Sequence, residues 1–388
     1  MSNSTVNNNL ASNYSQIVQE YSCNTQHQYN PMLEMHQSHD NPQMMTQHID
    51  EDNIMTVQQY DDAQLDNQSG EEKRKAIYTY ESSSILYSIS FQNCQECRFA
   101  FGTLNNSSNN SIEILEMVND ELTQVQKVNL EYPSTKLMWG PTDSNRNILV
   151  SSSDCVKFYK FNELDKSLTL TDNLYNKKSQ YCGALTSFDW CIHNDSILGT
   201  ASIDTTCAIW DLNRHTIKTQ LIAHEKEVLD ISFGNEDNIF ISSGADGSVR
   251  LFDIRNLKTS TIMYESKDQS PITKIAWNLN NPDLIAALSW EKNVIYIFDR
   301  RQNSVSLVEL KLHKAAVTGM VWSPSSRSEI CSVSEDKHVI ISHVKNDSTE
   351  EKNSCYEAPE EINNVSWCKS LPKLIAITFK KSVQLLRR

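Results

Sequence analysis

Residues 242–253 read SSGADGSVRLFD, from Ser242 to Asp253. Asp246-Gly247 between two strand-like runs predicts a tight hairpin, because such turns need positive φ and glycine adopts it without a Cβ clash. Working outward, VLDISF (Val228 to Phe233) precedes the hairpin with strand alternation, and Ser260 to Glu265 follows it. One unit therefore holds four strands, called a, b, c and d here. Strand a closes on an aromatic residue, Phe233, and strand c closes on Phe252-Asp253.

The unit recurs along the chain. Segments of the strand-a kind are LYSISF, TKLMWG, LTSFDW, VLDISF, ITKIAW, VTGMVW and INNVSW. Their closing aromatics are Phe91, Trp139, Trp190, Phe233, Trp277, Trp322 and Trp367, at spacings of 48, 51, 43, 44, 45 and 45 residues. Each is followed by a strand c closing at Leu115, Tyr159, Trp210, Phe252, Phe298, Ser342 or Leu386, with Asp directly after it at Trp210-Asp211, Phe252-Asp253 and Phe298-Asp299. Short strands repeating at this period, with an aromatic-Asp ending, predict an all-β, seven-bladed WD-repeat β-propeller. The seventh unit reaches Arg388 just past its strand c, so no strand d follows it. The alternating segment Ile77-Tyr-Thr-Tyr80 is expected to supply that strand from the other end and so cover an edge that would otherwise invite pairing between chains.

Composition divides the chain in two. Residues 1–72 contain no Lys or Arg but eleven Asp and Glu, and 21 of them are Asn or Gln. Without sustained periodicity, such a segment cannot bury enough apolar area to offset a backbone ordering cost of about 1–2 kcal/mol per residue, so a disordered tail is expected. Its four histidines, His27, His36, His39 and His48, read as polar residues of a biased segment rather than a metal site. Lys73-Arg74-Lys75 marks the change to the propeller, residues 73–388, and could be either a nuclear address or a solvated domain edge. The remainder of the chain is close to neutral, so it lacks the concentrated basic face that direct nucleic-acid binding needs. No secretory signal or apolar run of membrane-spanning length is present. Ten scattered cysteines then point to reduced thiols. Cys94-Gln-Glu-Cys97 has no second Cys or His pair at ligand spacing, and no cofactor is expected.

In WD repeats a loop His, a strand-b Ser or Thr, a b–c turn Asp and a strand-c Trp form a buried hydrogen-bond network. The fourth unit offers His224, Ser242 and Asp246, with Phe252 at the Trp position. The sixth offers His313, Ser332 and Asp336 but ends strand c on Ser342, and the third offers Thr200, Asp204 and Trp210 without the His. These residues superficially resemble a catalytic triad, but they recur at blade spacing, which marks a structural device. No glycine-rich phosphate loop, HExxH helix or GxSxG elbow appears either, so no enzyme is expected. Function should then sit on loops projecting from the ring. Trp290, in the b–c turn region of the fifth unit, is a candidate interface hot spot or a strand-end packing residue.

LTSFDW with GTASIDTTCAIWDL, KTQLIAHEKEVLDISF, GADGSVRLFDIRNLKTSTIMYE, KRKAIYTYE and TKLMWG together resemble the Transparent Testa Glabra type of WD-repeat adaptor of plants and its animal relatives. The resemblance spans about residues 73–345 and departs at Trp290-Glu-Lys292 and at Ser342. It implies an adaptor of nucleus and cytoplasm that joins transcription regulators in plants and DYRK-type protein kinases in animals; the propeller itself is expected to be monomeric. It also implies a second role, as substrate receptor of a cullin-4 ubiquitin ligase, whose receptors often carry Asp-x-Arg after strand c. Asp253-Ile-Arg255 and Asp299-Arg300-Arg301 fit that pattern. Each Arg could contact the ligase adaptor through charge-assisted hydrogen bonds, or simply bind the Asp of its own turn.

Overall fold

The structure is a computed structural model that describes residues 77–105, 109–175, 183–302, 306–344 and 352–388. The acidic tail, its four histidines and Lys73-Arg74-Lys75 lie outside those residues. Within them the chain forms seven four-stranded antiparallel sheets, the blades of a propeller. The strands a that begin blades 1 to 7 are Leu86–Phe91, Lys136–Trp139, Leu185–Trp190, Val228–Phe233, Ile272–Trp277, Val317–Trp322 and Asn364–Trp367. Each expected aromatic-ended segment is therefore a strand a. The long first spacing is taken up by an extended c–d hairpin in blade 1, Asn110–Val118 with Glu121–Leu130.

Strand boundaries differ from the sequence reading in one systematic way. Strand c runs one to three residues past its expected end, to Val118, Phe161 and His343 in blades 1, 2 and 6, and strand d of blade 4 begins earlier, at Asn256. In blades 1 and 4 the c–d turn holds only two residues, Asn119-Asp120 and Ile254-Arg255, so pairing runs up to the turn without further loop closure.

Burial follows position in the blade. Strand b is buried along its whole length in blades 1, 3, 5, 6 and 7 because it has a strand on each side and a blade packed on each face. The outer strand Thr216–Ile222 of blade 3 instead alternates between exposed and half-buried positions. There is one apolar cluster between each neighbouring pair of blades. That between blades 3 and 4 joins Ile197, Cys207 and Ile209 to Val228, Phe233, Phe240 and Phe252. That between blades 7 and 1 joins Leu374, Val383 and Leu385 to Phe99, Phe101 and Leu115.

Ring closure takes the form read from the sequence. Ile77–Glu81 is the outermost strand of blade 7, paired with Ser382–Arg387 in the register Ile77↔Leu386 to Glu81↔Ser382. The b–c hairpins also obey the turn rule: Gly247 has φ of +79° directly after Asp246. Blades 3 and 6 hold the same position with Thr205 (φ 71°) and Lys337 (φ 70°). A β-branched residue in left-handed conformation is strained. Thr205→Gly is therefore expected to stabilise the protein by about 0.5–1 kcal/mol, read as a raised urea midpoint at unchanged slope.

Candidate protein-interaction faces

Antiparallel order fixes the two ends of every blade. The b–c turns and d–a connections share one face of the ring, and the a–b loops and c–d turns share the other.

On the b–c side of blade 4, His224 Nε2 lies 2.7 Å from Ser242 Oγ, and Nδ1 lies 3.0 Å from Asp246 Oδ1. With a neutral imidazole, Nδ1–H donates to the carboxylate and Ser242 donates to Nε2. Blade 6 repeats the arrangement: His313 Nε2 is 2.8 Å from Ser332 Oγ, and Nδ1 is 3.1 Å from Asp336 Oδ2. The order Ser–His–Asp is that of a hydrolytic triad, yet Ser242 and Ser332 are both 0% exposed, so no substrate carbonyl can reach either hydroxyl. The carboxylates instead bind the turn. Asp246 accepts from Ser248 N–H and Oγ–H, and Asp336 accepts from the N–H groups of Lys314 and His338.

The WD position varies between these blades. Phe252 cannot donate as an indole would and stacks on Phe240 with centroids 5.1 Å apart. Ser342 is buried with its hydroxyl unpartnered. In blade 3, Trp210 Nε1 donates to Thr200 Oγ1 at 3.1 Å, but Asp204 does not join them. It accepts from the N–H and hydroxyl of Thr206, as Asp246 does from Ser248, but with no histidine opposite nothing links it to Thr200 and Trp210, which corrects the expectation of one shared network.

Burial pushes the Asp246 and Asp336 carboxyls up, but the facing histidines and turn donors more than offset it and hold both well below the usual carboxylate range. A depressed carboxyl pKa stabilises the fold above the unfolded value and stops doing so as pH falls toward the folded one. The double variant Asp246→Asn/Asp336→Asn is thus expected to flatten the acid limb of stability between about pH 5 and pH 1. Thermal melts across that range check it, and parallel limbs for variant and parent would count against the assignment.

The innermost strands show a pattern that the sequence reading missed. Strand a has no partner on its channel side, and side chains of the preceding blade bind its free backbone groups. Asp189 accepts from Phe233 N–H at 2.7 Å, Ser90 from Trp139 N–H at 3.3 Å, and Ser232 from Trp277 N–H at 3.4 Å. These acceptors all stand one residue before the closing aromatic. Three residues earlier, Thr186 and Thr318 donate at 2.6 Å to the carbonyls of Val228 and Ile362 in the next blade, and Asn363 reaches Leu86 across the closure. Asp230 accepts from Ile275 N–H at 3.0 Å, and Lys136 from blade 2 lies 3.5 Å from it. Burial raises the Asp189 carboxyl to about 6, against the nearby Lys136 charge and the N–H of Phe233. The signal was a small polar residue directly before the closing aromatic in blades 1, 3, 4 and 7, and Thr or Asn three residues earlier in several blades.

The candidate contact residues divide between the faces. Trp290 is half-buried in the blade 5 b–c turn; its backbone N–H donates to Pro271 O at 2.8 Å, and neighbouring Lys292 pairs with Asp268 at 2.7 Å. The two Asp-x-Arg turns lie on the opposite face. Arg255 clasps Asp253 through Nε and Nη2, at 2.9 and 2.7 Å. Arg301 clasps Asp299 in the same way, at 2.9 and 2.6 Å, and sets Nη1 3.3 Å from Asp283. Both guanidinium groups are exposed on one side while bound to their own turn. Cys94 and Cys97 lie buried in the blade 1 a–b loop, where burial lifts their thiols to about 11 and about 12.

The family model described as WD domain, G-beta repeat matches residues 215–253 and 304–341. The chain is similar to the DDB1- and CUL4-associated factor 7 homolog of Dictyostelium discoideum, 38% identical over 324 residues that cover 81% of this chain and 99% of that protein. It is also similar to a WD repeat-containing protein of Schizosaccharomyces pombe, 33% identical over 61% of this chain and 62% of the other. A Saccharomyces cerevisiae WD repeat-containing protein is 30% identical over 62% of this chain and 53% of its own length.

Proposed function

Because the chain belongs to the WD-repeat family that includes the Dictyostelium discoideum DDB1- and CUL4-associated factor 7 homolog, we propose that it is a non-catalytic scaffold assembling a regulatory complex. The observation that carries this reading is the division of labour in the blades. The Ser–His–Asp groups are sealed inside the sheets, while Trp290 and the Asp-x-Arg turns stand at opposite ends of one ring, so two partners can bind without competing. A rigid platform with loops at both ends suits that task. The partners we assign are a DYRK-type protein kinase and transcription regulators, acting in nucleus and cytoplasm. Affinity purification of the full chain with mass spectrometry should recover them, and Trp290→Ala should lose one partner class while its melting temperature holds. A folded Trp290→Ala protein that retains every partner removes the tryptophan from the interface.

The name of the Dictyostelium relative supports a second reading, that of substrate receptor in a cullin-4 ligase. Here Arg255 and Arg301 would meet the ligase adaptor with the guanidinium edges left outside their own turns. Arg255→Glu/Arg301→Glu should abolish adaptor capture in a folded protein. Retained capture assigns the adaptor contact elsewhere.

A further inference from the structure

On the a–b face, most cations are neutralised within their own blades or by a neighbour. Arg255 pairs with Asp253, Arg300 with Glu236, Arg301 with Asp299 and Lys166 with Glu116. Blades 6 and 7 differ. Lys369 and Lys373 are exposed in the blade 7 a–b loop, Arg327 is exposed in the adjoining loop of blade 6, and Arg387 and Arg388 end the blade 7 strand c at the same level. Among the described residues their one ion-pair partner is Glu329, which is buried and already held by Arg388 at 2.7 Å and faced by His343 at 3.5 Å. Arg387 lies over the Tyr78 ring, 5.6 Å from its centroid.

The chain enters the fold at this place. The pairing Ile77↔Leu386 sets the start of the closing strand beside Arg387. Upstream, beyond the basic triplet Lys73-Arg74-Lys75, lie 72 residues that hold eleven carboxylates and no Lys or Arg. Asp66 stands eleven positions before Ile77, and such a stretch spans up to about 37 Å when extended, enough to reach the lysines from the entry point. A short tether also sets an effective concentration of order mM, at which even weak electrostatic attraction fills a site.

We propose that the acidic segment around Asp61, Asp62, Asp66, Glu71 and Glu72 docks on the basic patch of blades 6 and 7 and covers that part of the a–b face. An acidic partner must displace it to bind there, so the tail acts as a built-in competitor. The proposal stands on charge and chain entry alone and does not depend on which partners the platform holds.

Zero-length carbodiimide cross-linking of the full chain, in a mixture of isotopically light and heavy protein, tests it directly. Carboxylates of residues 50–72 should join Lys369 or Lys373 within one chain. Yield should fall several-fold from about 0.05 to 0.5 M NaCl, as the screening length contracts below ~10 Å. Arg327→Glu, which leaves both reporter lysines in place, should lower it similarly. The idea is overturned if the tail links instead to lysines of the b–c face such as Lys314 and Lys337, or only to Lys73 and Lys75. Links from Lys369 and Lys373 to Asp347, Glu350 or Glu351, light–heavy links, or no link at all overturn it equally.

Discussion

Replacing Arg98 with alanine is expected to destabilise the protein by about 3–5 kcal/mol, the cost of leaving a buried carboxylate without its counter-ion. Arg98 is 0% exposed at the start of strand b in blade 1. Its Nη1 donates to Gln92 at 2.6 Å and to Glu163 at 2.9 Å, Nη2 lies 3.4 Å from Glu116, and the guanidinium sits 4.6 Å from the Phe161 centroid. Glu163 and Phe161 belong to blade 2, so one side chain joins two blades. Lys166 also reaches Glu116, at 3.1 Å, but is more than a third exposed and offers a screened charge. The unpartnered Arg98 Nε limits what the network contributes; it does not lessen the loss when the whole group is removed. Arg98→Met/Glu116→Gln should recover at least about 1 kcal/mol relative to the sum of the single changes, as groups within one network couple. Urea denaturation of the four proteins gives the cycle. A loss below about 1 kcal/mol for Arg98→Ala would assign Glu116 a different counter-ion.

That network also shows where a single sequence stops being informative. The segment RFAFGT alternates toward its end but begins with a residue type that normally faces water, and nothing local says that the blade 2 turn folds over it. Strand a and its closing aromatics were legible because alternation and a fixed period are local signals that survive in every copy. The closing strand was legible for a related reason: the seventh unit has strands a to c but no strand d, so an alternating segment at the far end had one place to go. Site chemistry was harder. Asp204 and Asp246 occupy the same repeat position and both bind their own turn, yet only Asp246 also meets a histidine, and the missing His makes the difference. Ser90, Asp189 and Ser232 looked like ordinary polar strand residues until the channel edge showed which backbone groups needed partners. Arg255 and Arg301 were read as either free contacts or turn clasps, and the geometry has them clasped.

Removal of the closing strand should have a larger effect than any point change, because it takes out one side of a ladder and one wall of a core at once. Tyr78 is 2% exposed, its ring packs in the cluster between blades 7 and 1, and its hydroxyl donates to Asp120 at 3.0 Å. Tyr80 reaches the same neighbour: its ring is 6.1 Å from Phe101, and its hydroxyl donates to Gln124 at 2.7 Å. The strand is thus a clasp, hydrogen-bonded to the last blade and packed against the first. Tyr78→Ala alone should cost about 3 kcal/mol by analogy with buried aromatic truncations. Deleting residues 77–81 should cost more and lower the melting temperature by about 10 °C or beyond. It also exposes the edge of Ser382–Arg387, so association rising with protein concentration is expected alongside the loss of stability. A synthetic peptide spanning residues 76–82, added in excess, should restore part of both, since the missing strand binds only the folded ring. Calorimetry and size-exclusion chromatography of the deletion with and without peptide decide the matter: an unchanged melting temperature means that the ring holds without its clasp, with the blade 7 interface alone keeping it closed.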